Sequence, residues 1–306
     1  MSAFQSLLAL PFARADELLS RHTTIKVGGP ARVWVEPNST DELAYFLQLN
    51  AQVGAPLYVL GAGSNVVPSA DGYEGAMLHL GPRFAYHRFE ENRMVAGGAM
   101  FLPKLTSLAN KRNLGNFEWA CGIPGSVGGS LWGNAGARGF NGEGFESRDS
   151  AADFDACVAY NRKGERVELG REDVEFAYRK SSLGELIVVE ATFALKPLSN
   201  EQTLRHKQAI RDLLEKRRNS QPVNAASAGC IWKNPSIEGC AGAGALIEQL
   251  GLKSANIGGA YISEIHGNFL INKGGSAADV RALASHVEAQ VKAQTGIEME
   301  REARFL

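Results

Sequence analysis

Gly122-Ile123-Pro124-Gly125-Ser126-Val127-Gly128-Gly129-Ser130, followed closely by Gly133-Asn134-Ala135-Gly136, is the stretch on which the reading of this chain turns. Six of its thirteen residues are glycine. Without a Cβ, the backbone can turn through positive φ and a ligand can come within contact distance of main-chain N–H groups. Pro124 fixes its own φ and stiffens the turn, and Ser126, Ser130 and Asn134 add side-chain donors. Such a loop suits a large, flat, phosphate-bearing cofactor; taken alone, it is equally an elaborate tight turn. A second stretch shifts the balance. Leu57-Tyr58-Val59-Leu60 is a short apolar run that predicts a buried strand, and Gly61-Ala62-Gly63-Ser64-Asn65 follows it. A strand leading into a Gly-Ser-Asn turn is a typical anion-binding nest of amides. It is not the dinucleotide fingerprint, because Val66 stands where a third glycine would be needed and Pro68 prevents a helix from opening there.

The rest of the composition narrows the class. The chain has 306 residues, enough for two or three domains. Glycine supplies 34 of them, about 11% where ~7% is usual, so the glycine-rich loops are a real excess. The net charge of −1 gives no reason to expect nucleic acid or an anionic membrane as partner. Residues 1–14 lack the charged and apolar segments of a signal peptide, and no run approaches the ~20 apolar residues of a membrane span. The cysteines, Cys121, Cys157, Cys230 and Cys240, form no CxxC pair. A zinc ribbon is therefore not expected, and a reduced, cytoplasmic protein is the default.

In chain order, residues 1–20 are expected to form a partly helical lead-in. A turn over His22–Ala31 and a strand over Arg32–Pro37 follow. Ser39 or Thr40 caps a helix to about Val53, with Asp41 and Glu42 favourable in its first turn. Met94–Ala96 predicts a strand and Pro103–Arg112 a helix with proline in its first turn. Lys163-Gly164 joins two strands as a hairpin. Leu186–Leu195 is the strongest strand signal, rich in β-branched residues. A helix over Glu201–Arg218 ends on Lys216-Arg217-Arg218, basic residues suited to a helix C-terminus. A short helix over Gly244–Leu250 and strands over Ala260–Ile262 and Asn268–Asn272 lead to a last helix from Ser276, capped with Asp279 and stopped by Gly296. The charged end, Met299–Leu306, is expected as a strand. The divisions fall at 1–82, 83–200 and 201–306.

Few residues invite chemistry. Arg179, in Tyr178-Arg179-Lys180-Ser181-Ser182, can clamp a carboxylate or phosphate bidentately, or be a surface arginine. Cys230, in Ala228-Gly229-Cys230-Ile231-Trp232-Lys233-Asn234-Pro235, is either a working thiol or an inert core residue. Glu302 alone is a solvated charge. His22, His266 and Asn268 are as readily structural as functional, and spacing supports no metal cluster.

These motifs together resemble the UDP-N-acetylenolpyruvoylglucosamine reductases, flavoenzymes of cell-wall precursor synthesis. The resemblance runs from about His22 to Phe305 and is carried in order by His22-Thr23-Thr24 with Val27-Gly28-Gly29, Gly61 to Asn65, Gly122 to Gly129 with Asn134-Ala135-Gly136, Tyr178-Arg179 with Ser181, Ala228-Gly229-Cys230 with Lys233-Asn234-Pro235, Ser263-Glu264 with His266 and Asn268-Phe269, and Glu300 to Phe305. It implies an α+β fold: a two-subdomain FAD-binding fold of the vanillyl-alcohol-oxidase type (1–82 and 83–200), and a C-terminal α/β substrate-binding domain (201–306). Only 50 positions separate Arg179 from Gly229, which leaves no room for the extra substrate-covering segment of the longer class, so the chain resembles the shorter class, type II.

The resemblance also implies roles. Non-covalent FAD would be held by Gly61, Ala62, Gly63, Ser64, Asn65, Gly122, Ile123, Pro124, Gly125, Ser126, Gly128, Gly129, Asn134 and Gly136. NADPH would be the hydride donor and an enolpyruvyl UDP-sugar the substrate, contacted by Tyr178 and Asn234. Arg179 and Glu302 would stabilise charge developing on its carboxylate, and the family then protonates carbon from a serine. Here that position is Cys230, and a thiol (pKa ~8.5) is a far stronger acid than an alcohol. The family's frequent lysine before Gln-Pro is Ser220 here, so Arg217 or Arg218 is expected to supply the lost phosphate or NADPH contact. No metal, nucleic-acid or membrane partner is expected, and the chain is expected as a monomer. Two alternatives stay open: another flavin oxidoreductase of the same fold, such as an oxidase, and a non-catalytic UDP-sugar binder.

Overall fold

The chain passes between two units five times along its length. Met1–Ala15, Val33–Ala62 and Gly75–Lys216 form the first; Asp16–Arg32, Gly63–Glu74 and Arg217–Leu306 form the second. The structure is a computed structural model and describes residues 3–237 and 241–306, so Cys240 lies outside the described residues.

In the first unit, the helix Thr40–Val53 shows how local sequence sets an element. Ser39 accepts the Glu42 N–H at its start and Gly54 ends it in the left-handed conformation. Leu43, Phe46, Leu47 and Asn50, at helical spacing, form its buried face. The three apolar ones enter a cluster with Leu7, Val33, Val35, Ala76 and Leu78. Strand Leu57–Val59 runs parallel to the strand carrying Ala76–Leu78. A second core lies on a five-stranded antiparallel sheet, ordered Arg166–Gly170, Phe154–Tyr160, Ile187–Ala194, Arg93–Gly97, His87–Glu90. Its central strand explains the long β-branched run: Ile187 and Val189 join the first cluster, while Ala191 and Phe193 join the second with Trp119, Leu105 and Val127. Over Ile187–Val189 the strand is buried on both faces and needs no polar alternation; beyond it, half-buried Glu190 and Thr192 alternate with buried Ala191 and Phe193.

In the second unit, an antiparallel sheet is ordered Ser227–Cys230, Phe269–Asn272, Ala260–Ile262, Asn256–Ile257. Two helices, Ala243–Gln249 and Ala277–Thr295, cover its core. Ser276 and Asp279 exchange hydrogen bonds with each other's backbone N–H groups at the start of the long helix. Val280, Leu283, Ala284, Val287 and Val291 line its buried face.

The α+β class and most elements stand where the sequence puts them, and the differences are instructive. The lead-in holds one short helix, Ala3–Leu8, and then a strand, Ala13–Leu18, that alternation does not announce; pairing within a sheet overrides a weak local preference. The glycine stretch is not loop throughout, because Val127–Trp132 is helical. Gly136–Phe140 and Phe145–Asp149 form an antiparallel hairpin, exposed and glycine-bearing, with no apolar period to reveal it. The charged end is strand only over Arg304–Phe305, parallel to Val66–Val67.

Candidate active site

The first unit brings the two glycine-rich stretches together. A Cβ on Gly61 would stand 2.6 Å from Ser126 Oγ, so a side chain there would push the Ser126 hydroxyl from its capping position. Ser126 is the N-cap of the helix Val127–Trp132, its Oγ accepting the Gly129 N–H at 3.3 Å. The stretch is sewn to residues 98–102: Leu102 N–H donates to Gly125 O, Val127 N–H to Met100 O and Gly128 N–H to Gly98 O. The remaining donors are available to a ligand. Among the described residues, the N–H groups of Gly61, Ala62, Gly125 and Ser126 donate to no protein acceptor. Fixed amides flanked by bare glycine fit the phosphates and ring edges of a dinucleotide cofactor.

The end of the stretch positions Arg179. Asn134 is buried and donates through Nδ2 to Asp149 Oδ2 and Ala177 O, both at 3.0 Å, while its Oδ1 accepts from Ala151 N–H at 3.2 Å. Its amide is thus engaged in holding the small hairpin Phe176–Ser181. Ser181 Oγ adds a bond to Trp132 O at 2.9 Å. At the hairpin tip, Arg179 has φ +57, a left-handed conformation that costs a non-glycine residue about 1 kcal/mol. Its Nη2 donates to Gly136 O at 3.3 Å and its guanidinium lies 5.0 Å from the exposed Tyr178 ring. Strain held by a tight network belongs more often to sites than to surfaces.

The second unit brings the segments of Cys230 and Glu302 together from distant parts of the chain. Strand Ser227–Cys230 carries a bulge: Ser227 pairs with Ile271 and Cys230 with Phe269, so three steps on one strand face two on the other. Gly229 makes this possible with φ +74, and the bulge re-aims Cys230, as bulges beside sites do. Beyond it, buried Asn268 accepts the N–H groups of Ile231 (3.1 Å) and Trp232 (2.9 Å) on Oδ1 and donates to Trp232 O at 2.8 Å. Ile231 O then accepts the N–H groups of Glu302 and Ala303. Asn65 Nδ2 donates to Glu302 O at 3.3 Å, and Arg304 N–H to Asn65 O at 2.9 Å. Thr24 Oγ1 bonds Ser227 O at 2.6 Å and Gly63 O at 3.3 Å. The nest Gly63-Ser64-Asn65, the half-buried Cys230 and the half-buried Glu302 therefore belong to one hydrogen-bonded neighbourhood.

Other candidates have structural duties. Asn234 Oδ1 accepts the Ala243 N–H at the start of a helix. His22 Nε2 meets Glu17 at 2.8 Å, and His266 accepts the Asn268 N–H on Nδ1, its pKa held down first by burial. Ser220 is the exposed last residue of the helix Asn200–Ser220, with Arg217 half-buried one turn earlier. Sequence reasoning left Asn268 undecided and missed its role as the hub behind Cys230; an asparagine opening a strand gives no local signal of that. Among the described residues no cluster of three or more metal-ligating side chains occurs, and no helix is long and apolar enough to cross a membrane.

Comparison with known proteins gives the family. A family model described as FAD binding domain matches residues 31–149, and with the relatives below it places the chain among the FAD-dependent oxidoreductases, with an α+β fold. A second model, UDP-N-acetylenolpyruvoylglucosamine reductase, C-terminal domain, matches residues 221–306. The chain belongs to the UDP-N-acetylenolpyruvoylglucosamine reductase family. It is 39% identical to the reductase of that name from Geobacter metallireducens over 95% of this chain and 93% of that one. With the Bacillus subtilis reductase the identity is 35%, over 95% and 93%. The solved structure of UDP-N-acetylenolpyruvylglucosamine reductase from Thermus caldophilus superposes with a TM-score of 0.78, at 31% identity, over 96% of this chain and 99% of that one.

Proposed function

We infer that the chain reduces UDP-N-acetylglucosamine enolpyruvate to UDP-N-acetylmuramate, a step of peptidoglycan precursor synthesis, with NADPH as donor and non-covalent FAD as carrier. The observation that supports the residue roles is the linkage of Cys230, Glu302 and the Gly63–Asn65 nest through Ile231, Asn65 and Thr24. Gly61 to Asn65 and Gly122 to Gly129 would hold the cofactor on main-chain donors. Bound FAD supplies hydride transfer, from NADPH to the vinyl carbon of the substrate.

The remaining chemistry falls to this chain. Negative charge grows on the substrate carboxylate as the vinyl carbon gains hydride, and the Arg179 fork is suited to hold it. Glu302 would share that task through a proton held on or near its carboxyl. Cys230 would give its thiol proton to the neighbouring carbon, becoming a thiolate that solvent reprotonates. Tyr178 and Asn234 would contact substrate, and Arg217 would supply the phosphate contact that Ser220 cannot. Residues 1–82 and 83–200 would then serve the cofactor and 201–306 the substrate. On this reading the enzyme works in the cytoplasm as a monomer, on small molecules alone.

The test is spectroscopic. The purified protein should be yellow, bleach with NADPH and regain colour on addition of the enolpyruvyl sugar nucleotide without oxygen. Recolouring by oxygen alone would indicate an oxidase, and a colourless protein that cannot be reconstituted with FAD would indicate a binder.

A further inference from the structure

Glu288 lies on the long helix of the second unit, and the roles given above do not involve it. Its carboxylate nevertheless joins the two segments that carry the proposed proton donor and its partner. Oε1 accepts the Trp232 Nε1–H at 2.8 Å and the Arg301 Nε–H at 2.6 Å; Oε2 accepts from Arg301 Nη2 at 2.8 Å. Trp232 is two residues past Cys230 and Arg301 is the residue before Glu302. Trp232 and Arg301 also face each other directly as an isolated antiparallel bridge. Glu288 therefore holds both members of one cross-strand pair from outside the pair.

The clamp is stiff. Trp232 is fully buried, and the Arg301 guanidinium is further fixed by Ser285 Oγ at 3.1 Å and by the Phe305 ring, 4.2 Å away. A bidentate carboxylate–arginine pair adds direction as well as strength. What it fixes is register. In an extended pair, a slip of one residue sends every side chain to the other face. The Trp232–Arg301 bridge is flanked by Lys233 N–H to Glu300 O and by Glu302 N–H to Ile231 O, so that slip would move Glu302 off Ile231, the residue after Cys230.

We propose that Glu288 is a positioning residue for the reductase reaction: it locks residues 231–233 in register with 300–302 and so holds Glu302 beside Ile231, the residue after Cys230. This rests on the roles proposed above for those two residues.

The experiment uses full-length protein loaded with FAD, with Glu288→Ala, Glu288→Gln and Trp232→Phe, which removes the indole N–H and keeps an aromatic ring. Flavin bleaching by NADPH and recolouring by substrate are timed separately. Carboxamidomethylation of Cys230 by iodoacetamide, followed by peptide mass spectrometry, gives a readout independent of turnover. Cys157, whose thiol burial pushes up to about 12, should stay unlabelled at neutral pH. In Glu288→Ala, bleaching should stay within about twofold while recolouring slows by roughly tenfold or more, the scale expected for small misplacements of reacting groups. The Cys230 labelling rate should shift by at least about threefold, and Glu288→Gln and Trp232→Phe should show the same selective loss in smaller measure. A folded Glu288→Ala protein with unchanged recolouring and labelling overturns the proposal. So does a lowered melting temperature with both half-reactions slowed equally, which is a structural role only. Should Glu288→Ala not fold, the two milder variants decide by the same criteria. Failure of the wild-type protein to recolour with substrate would instead remove the functional reading, and the labelling rates would still test the register.

Discussion

Arg179 combines a conformational cost with a proposed chemical use, and the two can be separated. Its left-handed backbone disfavours any side chain, so Arg179→Gly should raise the unfolding free energy by about 1 kcal/mol while slowing recolouring by substrate. Arg179→Lys keeps the charge without the planar fork and should slow recolouring by roughly 10²-fold, the effect of losing one well-placed donor. Thermal melting and stopped-flow absorbance measure these directly, and bleaching by NADPH should hardly change. For Cys230, removing a general acid should cost about 10²–10⁴-fold. Cys230→Ala should lose that much in recolouring alone, and Cys230→Ser should recover much of it. Activity should fall at alkaline pH as the thiol ionises, and that limb should vanish in the serine variant. Wild-type recolouring in the alanine variant would leave Cys230 a small half-buried thiol and nothing more.

Among the elements, the capped helices were legible because their signals are local: Ser39 and Ser276 before an apolar period, Gly54 and Gly296 after it. The helix Val127–Trp132 was not, since two of its six residues are glycine and one serine cap carries its start. Nor was the network that ties the segment before the glycine stretch to the core. There Trp119 Nε1 donates to Asp153 Oδ2 at 2.8 Å and Arg148 Nη2 to its Oδ1 at 2.6 Å. Burial nonetheless outweighs both bonds and pushes the Asp153 carboxyl up to about 6. A carboxyl raised in the folded state binds a proton there more readily than in the unfolded chain. Its contribution is therefore complete below about pH 4 and is lost as pH rises toward 6. Denaturant titrations of wild type and Asp153→Asn across pH 4–7 should show wild-type stability declining relative to the variant through that window. A constant difference would mean the carboxyl is ionised throughout. In the second unit, Asn268→Ala would strand the N–H and C=O of Trp232, while the Ile231 N–H keeps the main-chain carbonyl of residue 268; it should cost about 3 kcal/mol, measurable in the same titrations.

For the molecule as a whole, the candidate residues are legible along the chain, but the bonds that join their segments are not. Glycine and the sequence neighbours of Arg179, Cys230 and Glu302 can be read along the chain. The bonds from Asn65 to Glu302, 237 positions away, and from Thr24 to Ser227, 203 away, cannot. Those bonds also make the last residues structural: Arg304–Phe305 pairs with Val66–Val67, and Phe305 packs on the core of the second unit. Deleting residues 301–306 should therefore lower the melting temperature of the second unit, whereas Glu302→Gln should keep it and slow recolouring alone. A truncated protein that melts like the wild type would contradict this account of the terminus.

The alternation of the chain between its units also sets a timetable for the growing polypeptide. Ile25, Val27 and Val67 are buried among residues of 228–303, yet residue 74 leaves the ribosome 143 residues before residue 217. At ~5–20 residues per second that is an interval of roughly 7–30 s. During it, the first unit can close while two early segments of the second wait with their apolar side chains in water. Nascent chains halted near residue 216 should therefore be sticky and bound by holding chaperones, and release should coincide with emergence of the C-terminal ninety residues.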